Sequence, residues 1–347
     1  MRRLLPLVLV GLGTCLIIAA PLLRFYGYSK LAVAVQNPHL VIDMQATGAH
    51  VFDPGTSSEI TTDLSIVQKT DGDPQAQAKA PSGTRVWFTT TSTRDANGGI
   101  LQRSMSRTAF DASTAALKPC CGSFATVVDE AIAKDERSGL FLRFPFNTHQ
   151  GSYKLWDDAL KRTQTVTYKG TTHIDGLTVY RFQETVPATT VGTTQLPAAT
   201  VGLPGKGQAT LDEVYANDRT LYVEPRTGAI INDKQHLTRT LESEGKTVRT
   251  VMDADIAYTP AQIKKNVDKY QGRAGDLRMV RSLLPLIFLL AGIVLLGAGL
   301  VLRRRGGGSA ESGASGSPTD ASGADAARQP VGVAPAAGPG RSHRSRS

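Results

Sequence analysis

Residues 117–124 read LKPCCGSF and set two thiols side by side, at Cys120 and Cys121. Neighbouring Cα atoms across a trans peptide sit about 3.8 Å apart, closer than the roughly 4.4–6.8 Å of ordinary disulfides. A bond between these sulfurs therefore demands a sharp local turn. Pro119 and Gly122 supply turn residues on either side. Three states are open for the pair: a vicinal disulfide, a bond to another chain, or free thiols. A redox dithiol ordinarily keeps two residues between its cysteines, and this pair has none. No histidine or further cysteine stands near in sequence to complete a metal site, so no metal or cofactor is expected.

Other polar residues offer weaker chemistry. His173 and Asp175 in THID stand on alternate positions, so an extended segment would place them on one face as a ligand or acid–base pair. A hydrogen-bonded hairpin turn is the ordinary account of the same residues. Asp157–Asp158 and Asp253/Asp255 are paired carboxylates of the kind used in general acid–base work. Nothing in the sequence orders either pair against a nucleophile. No glycine-rich nucleotide loop, HExxH or GxSxG motif is present. The segment RFPFNTHQGSYKLWD carries Phe144, Phe146, Tyr153 and Trp156, which could line an apolar groove or simply pack a core. A non-enzymatic role is expected.

The elements that must position these residues follow from two apolar runs. Residues 4–23 are uncharged and about 20 long, which at 1.5 Å rise spans a hydrocarbon core of roughly 30 Å. The run is long for a cleaved signal peptide, and Ala19-Ala20-Pro21 is a poor exit site. Arg24, Phe25, Tyr26, Tyr28 and Lys30 follow it as an interfacial anchor. Residues 282–302 form a second run, closed by Arg303, Arg304 and Arg305. Positive flanks at Arg2–Arg3 and Arg303–Arg305 put both termini in the cytoplasm and residues 24–281 outside the plasma membrane. Gly292, Gly297 and Gly299 are candidates for close helix packing, although glycine is common in membrane helices. The net charge of +9 over 347 residues is spread over span flanks and the tail. It forms no nucleic-acid patch, and no nucleic-acid partner is expected.

Between the spans the chain reads as strands. Residues 84–95 are β-branched and aromatic, and hairpins are expected around Asp175–Gly176 and Pro225–Gly228. Residues 31–36, 58–68 and 246–258 are further strand candidates, with a surface loop over 69–83. Helices are expected at 129–136 and at 259–272. Thr259 is placed as N-cap of the second, Pro260 at its first position and Gln262 at the capping-box position. Residues 303–347, rich in Gly, Ser, Ala and Pro, lack the apolar side chains for a core and are expected to be a disordered cytoplasmic tail. The fold class is mainly β (α+β): an antiparallel, sheet-rich extracytoplasmic domain held between two transmembrane helices.

The segments KPCCGSF, GLFLRFPFNTHQGSYKLWDDALKRTQTV, IDGLTVYRFQETVPAT and LYVEPRTGAIIN resemble the porin PorA-like family of actinobacterial two-span membrane proteins, whose function is not established. The resemblance runs over roughly residues 4–302. It implies an envelope protein with a large outer domain and brings no active-site residue. The expected role is ligand or partner binding by that domain. Rival roles are a lipid or glycolipid carrier, an envelope hydrolase and a pore component. Expected partners are membrane lipid, a lipid or glycolipid ligand, and an envelope protein.

Overall fold

The computed structural model describes residues 4–53, 56–127, 136–205 and 207–306. The helix expected at 129–136 and the tail beyond residue 306 fall outside the described residues, Glu136 apart.

Helix α1 (Leu5–Pro21) runs through a π-helical turn (Leu22–Gly27) into the single turn α2 (Tyr28–Leu31). At the far end α4 (Pro260–Arg278) passes through a second π turn (Met279–Leu283) into α5 (Leu284–Gly306). The juxtamembrane helix is therefore longer than the 259–272 expected and runs on into the span. Thr259 caps it, its hydroxyl accepting from the Gln262 amide at 3.2 Å. The reciprocal half of a capping box is absent. Gln262 instead donates to Asn266 at 2.8 Å, while its carbonyl accepts from the Asp43 amide.

The two spans pack antiparallel. Pro6, Val10, Gly13 and Ile17 of α1 meet Gly299, Leu296 and Gly292 of α5. A Cβ on Gly13 would stand 2.7 Å from the Leu296 nitrogen, and one on Gly292 2.8 Å from the Gly13 carbonyl. Small residues let these backbones touch. Gly297 has open space around it and plays no part. The outward faces stay uncovered: Val294 is 68% exposed, and Leu7, Val8, Ile18 and Leu286 are exposed with it. Exposed apolar surface of this length suits lipid, not water. These are the two membrane helices of a two-pass plasma-membrane protein. Gly292→Leu is expected to cost about 1–3 kcal/mol of stability in detergent through overpacking. Gly297→Leu should be silent in the same unfolding measurement.

The eleven strands among the described residues form one antiparallel sheet. Its first arm is β1 (His39–Asp53), β2 (Ser58–Gly72), β3 (Thr84–Arg94), β4 (Ile100–Asp111) and β5 (Phe124–Val127). Its second is β6 (Ser152–Asp157), β7 (Arg162–Ile174), β8 (Leu177–Pro197), β9 (Gln208–Glu224), β10 (Ala229–Ser243) and β11 (Lys246–Tyr258). The order is β5-β4-β3-β2-β1-β11-β10-β9-β8-β7-β6, a half-barrel with β5 and β6 as its outermost strands. Irregular backbone spans the gap between the arms. Leu117 bridges to Phe110, the Leu117 amide donates to the Gly139 carbonyl at 2.8 Å, and Leu140 bridges to Leu155.

Turn chemistry sets the register. Asp175–Gly176 and Glu244–Gly245 both hold positive φ at their two residues, the geometry of tight two-residue hairpins. At 225–228, Glu224 accepts from the amides of Arg226 and Thr227, and its turn closes through the Gly228 amide. β1 and β11 pair centrally, with Met44 opposite Tyr258, so both membrane helices leave the same end of the sheet.

Two expectations need correction. Residues 31–36 form no strand: Ala34 and Val35 give their carbonyls to Arg85 Nε (2.7 Å) and Trp87 Nε1 (3.1 Å), so side chains of β3 replace a ladder partner. Residues 69–83 are not all loop. β2 runs on to Gly72, and Asp73 then caps the short α3 (Pro74–Gln77), accepting from the Ala76 amide at 2.9 Å.

Candidate functional site

The four aromatics that could line a groove or pack a core divide between three places. Phe144 is fully buried, stacked on Phe182 at 4.8 Å, with Tyr153 edge-on to both. Leu155, Val166, Leu221 and Val223 complete this core cluster. Phe146 does not join this cluster: residues 142–146 form a loop with no strand geometry to hold Phe144 and Phe146 on one face, and Phe146 lines the cavity at the membrane-proximal end instead. Trp156 lies three residues beyond Tyr153 on β6 and so on the opposite face, its Nε1 donating to Asp158 at 2.8 Å. His173 and Asp175 are both exposed at the β7–β8 hairpin, Asp175 in the left-handed region of the turn. Among the described residues no cluster of His, Cys, Asp and Glu could hold a metal ion.

Cys120 and Cys121 are joined in a vicinal disulfide with Cα atoms 3.8 Å apart. Cys121 and Gly122 both take positive φ, and the Ser123 hydroxyl donates to the Cys120 carbonyl at 2.7 Å. The pair packs on Ala76, Val86 and Ala109, so it fixes the turn that returns the chain from Leu117 toward β5.

Two clusters that the sequence reading did not single out carry most of the charge chemistry. The first lies on the inner face of the second arm, in register with Phe182 and Leu221. Glu184 faces Arg219 across the β8–β9 pair, and Asp233 on β10 lies opposite Leu221, two residues along from Arg219. The Arg219 guanidinium makes a two-pronged bond to Asp233, Nε donating at 2.9 Å and Nη2 to the second oxygen, and stands 4.0 Å from Glu184. Glu184 and Asp233 are buried, and Arg219 is partly so. Burial, resisted by the Arg219 charge and assisted by Asp157 and Asp233, pushes the Glu184 carboxyl up to about 7. Burial opposes the Arg219 charge, but Asp233 and Glu184 outweigh it and hold the guanidinium above its ordinary range. Tyr215 donates to Asp157 at 3.0 Å beside this network. Glu184 shares the parity of Phe182 and Val186, so an inward charge is visible in the alternation of YRFQETV.

The second cluster lines a cavity of about 250 Å³ at the membrane-proximal end of the sheet, between the start of β1, the loop at 142–146, the turn at 227–230 and α4. Leu40, Trp87, Leu142, Phe146, Ile230 and Tyr270 form its apolar walls. Arg143, Lys265, Lys269 and Arg273 also face it. Arg143 is crowded by protein, its guanidinium 4.2 Å from the Phe146 ring centre and bonded to the carbonyls of Phe144 and Thr227. Burial pulls the pKa of the Arg143 guanidinium down to about 10 despite Tyr270, and Arg273 adds to the drop. Burial and Lys265 lower Lys269. The spacing of Lys265, Lys269 and Arg273, four residues apart, was legible as one helix face.

A protein-family model described as Porin PorA matches residues 5–301, from the first apolar helix through every strand to the second. This chain belongs to the Porin PorA family. A PorA relative, Porin PorA of Corynebacterium amycolatum, is 27% identical over 126 residues, covering 29% of this chain. The match takes in 33% of that relative's length, so this chain spans about a third of it. Among solved structures, an exported protein of YmcC-like fold from Bacteroides fragilis aligns over 65% of this chain and 97% of its own, at 11% identity and a TM-score of 0.25. A likeness at that score carries no argument. PorA membership agrees with the two-span, sheet-rich architecture described above.

Proposed function

We propose that this PorA-family chain is a subunit of an oligomeric pore in the cell envelope, its outer domain standing over the membrane as a cap. What carries the reading is the family match across both spans and the whole domain, together with the porin name of the curated relative. It replaces generic partner binding as the main role, because a binding module alone would not need both helices within the family match.

Physical argument sets the form of such a pore. The sheet is not its membrane wall: its outer face carries His236 between Asp253 and Asp255, and Lys154 bonded to Thr165, where a lipid-facing barrel needs apolar side chains. One helix pair is not a pore either, since Gly13 and Gly292 bring its backbones into contact. Several copies are therefore needed. Their helices offer Thr14 as a polar lining and little else, so the lumen is narrow, apolar and prone to dewetting. In this reading residues 4–23 and 282–302 span the plasma membrane, residues 24–281 stand outside, and residues 1–3 and 303–347 are cytoplasmic.

Reconstitution of the full chain in planar bilayers tests the proposal. Stepwise, intermittently interrupted conductance is expected, together with an oligomer on cross-linking. A silent bilayer containing folded, incorporated protein would sink it.

A further inference from the structure

The membrane-proximal cavity combines three features that together specify a ligand. Its walls are mostly apolar, four cations face it, and among the described residues none of those cations has an acidic partner. Among the described residues no carboxylate forms an ion pair with Arg143, Lys265, Lys269 or Arg273. Two of the acids nearby are engaged elsewhere: Asp268 pairs with Lys264, and Asp71 with the rim residue His39. Arg143 bonds only to backbone carbonyls and stacks on Phe146. A crowded guanidinium surrounded by like charges is costly to hold unless an anion joins it.

Position supplies the source of that anion. Lys265, Lys269 and Arg273 climb one face of α4, which runs on into the membrane span. Arg273 lies nine residues before Ser282, about 13 Å along the helix, just beyond a headgroup layer of roughly 5–8 Å, which its long side chain is able to reach. Lys269 and Lys265 continue the row about 6 and 12 Å farther, into the cavity. The cavity volume of about 250 Å³ falls below the roughly 300–1,000 Å³ of sites that enclose a whole drug-sized ligand. It suits a headgroup and the first part of one chain, with the remaining hydrocarbon left in the bilayer.

We propose that this cavity seats the headgroup of an anionic membrane phospholipid, its phosphate held by Arg143, Lys269 and Arg273 and its upper chain against Trp87, Leu142 and Phe146. The site does not depend on the pore reading. It belongs to each single copy and stands whether or not current flows.

Native mass spectrometry of the full chain in detergent tests it, titrating phosphatidylglycerol, phosphatidylcholine and glycerol 3-phosphate separately. One phosphatidylglycerol is expected to be retained per chain in preference to phosphatidylcholine. Lys265→Gln/Lys269→Gln/Arg273→Gln should lower phosphatidylglycerol occupancy by about tenfold and leave phosphatidylcholine adducts unchanged. The single Lys269→Gln, at an exposed helix position, guards against a folding failure and should give a smaller loss in the same direction. Equal retention of both lipids, or occupancy indifferent to these substitutions, would overturn the proposal. Glycerol 3-phosphate binding as tightly as phosphatidylglycerol would overturn it too, by assigning the cavity to a soluble anion.

Discussion

Arg219→Leu lowers the stability of the outer domain by about 3–5 kcal/mol, because it strands Asp233 and Glu184 inside the sheet without their cation. The loss does not measure the worth of the ion pair. It is chiefly the penalty of leaving buried carboxylates unpaired. Removing the acids as well should therefore recover most of it: Arg219→Leu/Asp233→Leu/Glu184→Gln is expected to lie within about 2 kcal/mol of the parent chain. Denaturant unfolding in detergent at pH 7.5, followed by tryptophan fluorescence from Trp87 and Trp156, reads both values. If the triple substitution were as unstable as the single one, Arg219 would matter through packing and not through charge.

Glu184→Gln is expected to act in the opposite direction, and increasingly as pH rises above about 4.5. The folded-state carboxyl sits near 7, against an ordinary value of 4.5, so the folded chain holds a proton that the unfolded chain has released. Below about pH 4.5 both states carry it, and the site adds no pH dependence. Between about 4.5 and 7 the native state binds more protons, so stability falls as pH rises; above 7 the loss is complete, at about 3 kcal/mol. Glutamine removes the ionisation. The variant should match the parent near pH 4.5 and exceed it by up to about 3 kcal/mol at pH 8. A difference independent of pH would show that the Glu184 charge is solvated or fully neutralised by Arg219.

Much of this fold could be read from local chemistry. The spans declared themselves by length and lack of charge, and the Asp175–Gly176 hairpin by its turn residues. Thr259-Pro260 announced the start of α4. Residues 31–36 misled because LAVAVQ has the composition of a strand, while the partners that its carbonyls actually use, Arg85 and Trp87, are some fifty residues away. The grouping of Phe144, Phe146, Tyr153 and Trp156 was a matter of neighbourhood in sequence. Tyr153 and Trp156 differ in parity on one strand, and Phe144 and Phe146 stand in a loop where residues two apart need not share a face, so the four are not held together.

The charged clusters were harder to see for a different reason. Arg219, Glu184 and Asp233 come from three strands, and only the β8–β9 and β9–β10 registers bring them together. The cavity likewise needs β1 beside β11, a pairing between residues more than two hundred apart. Arg143 is distant in sequence from the Lys265–Lys269–Arg273 row and joins it because the 142–146 segment hydrogen-bonds to the 225–228 turn, with the Phe144 amide donating to the Gly228 carbonyl at 2.9 Å.

Everything argued about the disulfide, the cap and the lipid seat requires the sheet to lie outside the cytoplasm. Lys161 occupies the exposed β6–β7 turn, at the end of the sheet away from the helices, and Ser309 follows the arginines that end α5. In a Cys15→Ala background, a membrane-impermeant maleimide applied to intact cells should label Lys161→Cys and spare Ser309→Cys until the cells are lysed. Labelling of Ser309→Cys with protection of Lys161→Cys would invert the topology and contradict the account.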